Sequence, residues 1–226
     1  KVFDVIVMKD NCLNPYRSVV HSGILRNNGF RPIFNTAFEI SKLSYPVFVK
    51  PARGGSSRGT TKVKSESQLA PAIVEALSFD SKVIVEAAIN GSEIECAVLE
   101  IDGKPQASVI GQIHIDSKFE FYDFEAKYLD GSTTFDVPAN IPPEIARAIS
   151  DAAITAFEAL GCEGLARVDF FLTEDNRVII NELNTMPGFT SMSVFPMLWK
   201  ATGKSYSELI TQLCESALAR PKNVIR

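Results

Sequence analysis

Apolar residues recur along the chain with two spacings, and the switches between them mark out its elements. Runs with alternating faces, the signature of half-buried strands, lie at residues 2–8, 46–50, 61–63, 82–86, 94–101 and 107–115, with a turn at Asn90 and Gly91. Helical spacing predicts a short helix over 19–27 that ends at Gly29. A second helix follows Ser65, which with Gln68 forms a capping-box pattern before Leu69, Ile73, Ala76 and Leu77. Pro71 is tolerated there because it lies near the helix start. Pro142 and Pro143 open a third, with an apolar face of Ile145, Ile149, Ala152, Ala156 and Leu160, closed by Gly161. Ser205 with Glu208 starts the last, in which Leu209, Ile210, Leu213 and Ala217 face the core. Residues 116–138 keep no period and predict a long loop, a feature that in compact domains is often functional. There is no internal repeat.

Composition narrows the function classes. With 226 residues the chain can build one large domain or two compact ones. Its 23 basic and 27 acidic residues give a net charge of -4, which argues against a general nucleic-acid binder, since phosphate contacts need clustered Lys and Arg. Cys12, Cys96, Cys162 and Cys214 are too scattered for a zinc site or a disulfide framework, so a reducing cytoplasm is the expected setting. No apolar run approaches the ~20 residues that cross a bilayer, and no signal segment opens the chain, so no membrane association is expected. The first residue is Lys1 rather than Met, as when the natural start is missing or processed.

The densest chemistry lies in Leu165-Ala166-Arg167-Val168-Asp169-Phe170-Phe171-Leu172 and Val178-Ile179-Ile180-Asn181-Glu182-Leu183-Asn184. The turn between them is rich in Glu, Asp and Asn, so the two read as a hairpin. Alternation puts Arg167 with Asp169 on one face, and Glu182 with Asn184 on one face. A four-residue loop at 174–177 pairs Asp169 with Glu182 and Arg167 with Asn184. Two opposed carboxylates repel unless something positive lies between them, and carboxylate and amide oxygens suit Mg²⁺ completed by substrate phosphates. The same residues also read as a solvated hairpin face paired with surface lysines, or in another register.

Two further segments bear on a nucleotide. Lys50-Pro51-Ala52-Arg53-Gly54-Gly55-Ser56-Ser57-Arg58-Gly59 offers backbone N–H groups, hydroxyls and cations to a phosphate, although the lysine precedes the loop and no Walker A pattern follows. Such a loop can also be a plain turn. Glu86-Ala87-Ala88-Ile89-Asn90-Gly91-Ser92-Glu93 sets two carboxylates around a turn, which alone reads equally as an exposed edge. Lys127 beside Tyr128 in the long loop carries no signal alone.

In order and spacing, KPARGGSSRG, VIVEAAINGSEIE, FYDFEAKYLDG, GCEGLARVDFF and INELNTMPGFTSMSVFPM resemble the D-alanine:D-alanine ligases, actinobacterial ones above all, from Tyr45 to Arg226. The resemblance implies an α+β, ATP-grasp fold in which two α+β subdomains with antiparallel sheets enclose ATP, with residues 45–226 as the catalytic region and 1–44 as a poorly matched N-terminal segment. It implies that Lys50 contacts ATP phosphates, Ser56 lies in the closing loop, Glu86 meets the adenine amino group, the backbone of Ala88 and Ile89 meets the ring edge, and Glu93 meets the ribose. Asp169, Glu182 and Asn184 would hold two magnesium ions, with Mn²⁺ as a substitute. Arg167 would stabilise an oxyanion, Lys127 would meet the transferred phosphate, Tyr128 would join Ser56 in a closing network, and Ser193 with the Val194 backbone would hold the second substrate's carboxylate. Tyr122 stands where D-lactate-using ligases carry histidine, which favours D-alanine.

The implied reaction joins two D-alanines through an acylphosphate, for peptidoglycan precursor synthesis in the cytoplasm, and a homodimer is usual for the family. The family's N-terminal domain, with a glutamate for the first substrate's ammonium, is not recognisable in this sequence, nor is an Asp-Lys pair before residue 44; Arg17 is nearby. A truncated ATP-binding module without turnover, or an ATP-grasp ligase for another amino acid, is therefore the alternative.

Overall fold

The structure is a computed structural model that describes residues 5–9, 23–26, 29–32, 43–114 and 133–220. Two compact units emerge: Lys1–Ile89 with Ile115–Thr133, and Asn90–His114 with Thr134–Arg226.

The first unit holds β1 (Val5–Lys9), β2 (Gly23–Arg26), β3 (Gly29–Pro32), β4 (Val47–Pro51), β5 (Thr61–Val63), α1 (Glu66–Phe79) and β6 (Lys82–Ala87). They form a six-stranded sheet ordered β3-β2-β1-β6-β4-β5, antiparallel throughout. The helix predicted over 19–27 is not found at 23–26, which is strand β2 between β1 and β3. So short an apolar run cannot offset helix nucleation, whereas neighbouring strands supply backbone partners on both sides. Val47 and Val49 of β4, Val83 and Val85 of β6, and Val63 pack against Ala72, Ile73 and Ala76 of α1. At the start of α1 the predicted capping box does not form. The Lys64 N–H donates to Gln68 Oε1 at 2.8 Å, and Ser65 Oγ lies 3.0 Å from Ser67 Oγ, so the glutamine reaches one residue beyond the cap.

The second unit holds β7 (Ser92–Ile101), β8 (Lys104–His114), β9 (Thr134–Asp136), α2 (Pro143–Ala159), β10 (Leu165–Leu172), β11 (Val178–Asn184), α3 (Val194–Thr202) and α4 (Tyr206–Ala219). Its sheet runs β11-β10-β7-β8-β9, again antiparallel. Strand β9 falls inside the stretch read as loop and pairs with the end of β8. One face of the sheet is covered by α2, whose Ile149, Ala153 and Phe157 pack on Ile94, Cys96, Val98, Ile110, Ala166, Val168 and Phe170. Leu160, predicted on this face, is the C-cap and is exposed, because the chain leaves the helix there through Gly161 at φ +62°.

The opposite face is divided. Its apolar part, Ala97 and Leu99, is covered by Phe195, Leu198 and Trp199 of α3 and Leu209 of α4. Helix α3 buries Phe195, Pro196, Leu198 and Trp199 and is held by tertiary contacts. The Val109 N–H donates to Thr202 Oγ1 at 2.9 Å, and Gly111 leaves room for Leu198, whose Cδ2 would lie 2.8 Å from a Cβ there. The capping box of α4 forms as predicted: Glu208 N–H donates to Ser205 Oγ at 3.3 Å and Ser205 N–H to Glu208 Oε2 at 2.7 Å. Ile210 and Ala217 are exposed rather than inward, because the buried stripe of α4 is narrow and runs through Leu209 and Ser216. Both units are α+β with antiparallel sheets, as expected. Among the described residues no helix is long and apolar enough to cross a membrane.

Candidate functional site

The uncovered part of the second unit's sheet is polar. On β10, alternation sends Ala166, Val168 and Phe170 toward α2, which leaves Arg167 and Asp169 on the other side. Across from them β11 pairs Asn184 with Arg167 and Glu182 with Asp169, the register the spacing predicts. The route to it differs. The ladder ends at Leu172 with Val178, so the turn is one residue longer than the 174–177 loop, and a bulge between Asp169 and Phe170 inserts the compensating residue into β11. The longer turn is held by Thr173, which accepts the Arg177 N–H at 3.0 Å and donates to Asp175 Oδ1 at 2.5 Å.

Arg167 lies at the centre. Its Nε donates to Asp169 Oδ1 and its Nη2 to Asp169 Oδ2, both at 2.7 Å, and Nε also lies 3.2 Å from Glu95 Oε1. Among the described residues Nη1 makes no hydrogen bond and is the donor left for a ligand. Burial works against the guanidinium's charge, but Asp169, first by hydrogen bonding and then by charge, with Glu95 and Glu182 behind it, more than offsets that and holds its pKa above the ordinary range. Glu95 and Asp169 side chains are 4% and 13% exposed, so their charges are poorly screened.

Three carboxylates act on one guanidinium, an acidic surrounding that suits a divalent cation. Among the described residues no group of three or more His, Cys, Asp or Glu could hold an ion. A metal at Asp169 and Glu182 must therefore draw on Asn184 and on oxygens of its ligand, the shell expected of Mg²⁺ beside phosphates. Asn184 Oδ1 accepts the Met186 N–H at 3.0 Å, which fixes the amide with its oxygen's second lone pair available. The residues fit the ion.

Beyond β11 the chain reaches Ser193, N-cap of α3. Its Oγ accepts the Thr190 N–H at 3.0 Å and lies 2.9 Å from Thr190 Oγ1, and the Tyr206 hydroxyl ties the same loop by donating to Phe189 O at 2.6 Å. Ser193 and the Val194 N–H thus stand at a helix N-terminus, where a carboxylate is stabilised. Glu93 is half-buried on β7, on the same face as Glu95.

In the first unit, β4 and β6 turn Val47, Val49, Val83 and Val85 to α1 and present Phe48, Lys50, Ile84 and Glu86 on the half-buried side. Lys50 Nζ and Glu86 Oε1 lie 2.6 Å apart. The Ala88 N–H is taken by Pro46 O at 3.1 Å, so Ala88 can offer a ligand its carbonyl, with the Ile89 N–H as the neighbouring donor. Both ends of the glycine loop are pinned to the end of α1. Arg53 binds Asp80 through its backbone N–H at 2.9 Å, Nε at 3.0 Å and Nη2 at 2.5 Å, while Gly59 and the Arg58 guanidinium pack on the Phe79 ring. Between these roots Ser56 and Ser57 adopt φ of 53° and 56°, a left-handed backbone uncommon for non-glycine residues.

Sequence reasoning missed Glu95 and Asp80. Glu95 could have been suspected, being two residues from Glu93 in a strand with period two; Asp80 gave no signal. Tyr122, Lys127 and Tyr128 lie outside the described residues.

Residues 19–215 match the protein family described as D-ala D-ala ligase C-terminus. A D-alanine–D-alanine ligase of Mycobacterium ulcerans is 52% identical over 187 residues, 80% of this chain and 50% of that protein. One of Nocardia farcinica is 54% identical over 182 residues, 79% and 50% of the two. Among solved structures, the VanG D-Ala:D-Ser ligase of Enterococcus faecalis superposes with a TM-score of 0.74 at 36% identity, covering 95% of this chain and 56% of that one. A D-alanine–D-alanine ligase of Bacillus anthracis complexed with ATP gives 0.70 at 26% identity, covering 96% and 60%. The chain spans about half the length of the curated relatives it matches.

Proposed function

The chain belongs to the D-ala D-ala ligase C-terminus family, and from that premise we propose that it carries the ATP-dependent chemistry of a ligase that joins two D-alanines to D-alanyl-D-alanine for peptidoglycan precursors. The observation that carries this reading is Arg167 set among Glu95, Asp169 and Glu182 on the polar part of an otherwise covered sheet. A structural ion pair would not need a third carboxylate.

In this reading, Lys50 leaves Glu86 to meet phosphate oxygens and Glu86 turns to the adenine amino group, so the two sites of the first unit are satisfied by each other until nucleotide arrives. The carbonyl of Ala88 and the N–H of Ile89 take the ring edge, and Glu93 takes the ribose. Asp169, Glu182 and Asn184 hold magnesium, which supplies charge neutralisation at the transferring phosphoryl group. Arg167, fixed through Nε and Nη2, points Nη1 at the oxygen that becomes negative when the second D-alanine's amine attacks the acylphosphate carbonyl. Ser193 and the Val194 N–H grip that substrate's carboxylate and set the angle of attack. The resemblance assigns Ser56, Lys127 and Tyr128 to the phosphates and Tyr122 to the choice of second substrate.

The test is phosphate release from ATP and Mg²⁺ with and without D-alanine, beside thermal unfolding with nucleotide. Release that requires D-alanine is expected. Stabilisation by nucleotide without such release would replace this reading with a nucleotide-binding module. A second reading, D-serine as the second substrate, is favoured by the D-Ala:D-Ser ligase among the solved relatives. Offering D-alanine, D-serine and D-lactate in competition separates the two.

A further inference from the structure

Glu95 has no part in the reaction as described, yet it is a carboxylate in the middle of a sheet with a side chain only 4% exposed. Its position is informative. Asp169 pairs with Glu95 across β10 and β7, and with Glu182 across β10 and β11, so three carboxylates stand in one row across three neighbouring strands. Adjacent strands are about 4.8 Å apart, too close for like charges without cations between them. One gap holds the guanidinium, since Arg167 Nε lies 2.7 Å from Asp169 Oδ1 and 3.2 Å from Glu95 Oε1. The other gap, between Asp169 and Glu182, is the one assigned to the divalent ion.

We propose that Glu95 is a positioning residue that gives Arg167 a second carboxylate seat, so that Asp169 can share its oxygens with a divalent cation while the guanidinium keeps its place. The idea rests on the ligase reading and deepens it. If Asp169 were the sole partner of Arg167, the two charges would cancel and Glu182 alone would attract the ion. With Glu95 present, the guanidinium is neutralised from the far side, and Asp169 and Glu182 act on the ion together. The rigid fork of arginine makes this work, because Nε faces both acids while Nη1 remains for the substrate.

The experiment compares wild type, Glu95→Gln, Glu95→Asp and Glu182→Gln in Mn²⁺ titrations read by electron paramagnetic resonance with a non-hydrolysable ATP analogue, beside turnover and thermal unfolding. Glu95→Gln is expected to weaken Mn²⁺ binding roughly tenfold, as loss of an outer-shell partner does, and to lower kcat with little change in KM for ATP. Glu95→Asp keeps the charge and is expected to recover most of the affinity. Unchanged Mn²⁺ binding in Glu95→Gln, with Glu182→Gln impaired, overturns the role of Glu95 and leaves the metal site standing. Unchanged binding in Glu182→Gln overturns the metal site itself. Should Glu95→Gln not fold, the outcome rests on Glu95→Asp: Mn²⁺ binding as weak as in Glu182→Gln would make Glu95 a packing residue and sink the proposal.

Discussion

Single side chains in this molecule hold partners that a ligand would have to displace. Lys50 and Glu86, 2.6 Å apart, satisfy each other on the half-buried side of the first sheet. Lys50→Ala should weaken nucleotide affinity about tenfold, the scale of one charged hydrogen bond, as measured by calorimetric titration with ATP. Asp80 shows a different economy. Hydrogen bonding from Arg53 outweighs its burial and, with the backbone N–H groups of Lys82 and Arg53, holds its carboxyl well below the usual range. A carboxyl depressed in the folded state contributes stability above its ordinary pKa of about 4 and loses it as pH falls below that value. Thermal midpoints followed from pH 6 to pH 2 should therefore fall more steeply for wild type than for Asp80→Asn; parallel curves would mean that the Arg53 contact stabilises nothing. Residues such as Lys50, Asp169 and Glu182 were legible in the sequence because each stands in a motif whose spacing fixes its face. Asp80 was not, and Glu95 was hinted at only by its spacing from Glu93, since each acid acquires its meaning from a partner 27 or 72 positions away, which only the fold supplies.

At the level of elements, the hairpin of β10 and β11 reached its predicted register by two offsetting departures, a longer turn and a bulge. Side-chain alternation was the stronger constraint, since a slip of one residue would send Glu182 to the buried face. The same logic separates the two capping boxes. Both have the right residue types, but only Ser205 with Glu208 closes, because the chain before α1 offers Gln68 a second N–H at Lys64. Ser205→Ala should cost about 1 kcal/mol of unfolding free energy, and Ser65→Ala much less, in matched denaturant titrations. Helix α3 and strand β2 escaped sequence reading for a shared reason: each is short, and tertiary neighbours hold it in place. Gly111 shows how tight that fixing is. Gly111→Ala should destabilise by about 1–3 kcal/mol through the contact with Leu198, checked in the same titrations.

For the whole molecule, alternation showed αβ elements with antiparallel strands and the family resemblance supplied the α+β fold with two subdomains, while the point of division was not legible, because the second unit begins in a turn with the same local chemistry as any other. If nucleotide and magnesium bind the folded state as proposed, they should raise its stability by mass action, by about 2.7 kcal/mol at one hundred times Kd. A thermal midpoint that does not move with Mg²⁺ and ATP would contradict the nucleotide reading. On the proposed ligase reading, the row of Glu95, Asp169 and Glu182 across three strands also sets a conflict between heat resistance and chemistry. A screen for heat-stable variants, run without divalent cation, would favour neutral residues at this row and so select against catalysis. Run with magnesium and nucleotide present, the same screen would keep the acids. The conditions of selection thus decide whether the proposed site is kept or dismantled into a stable sheet.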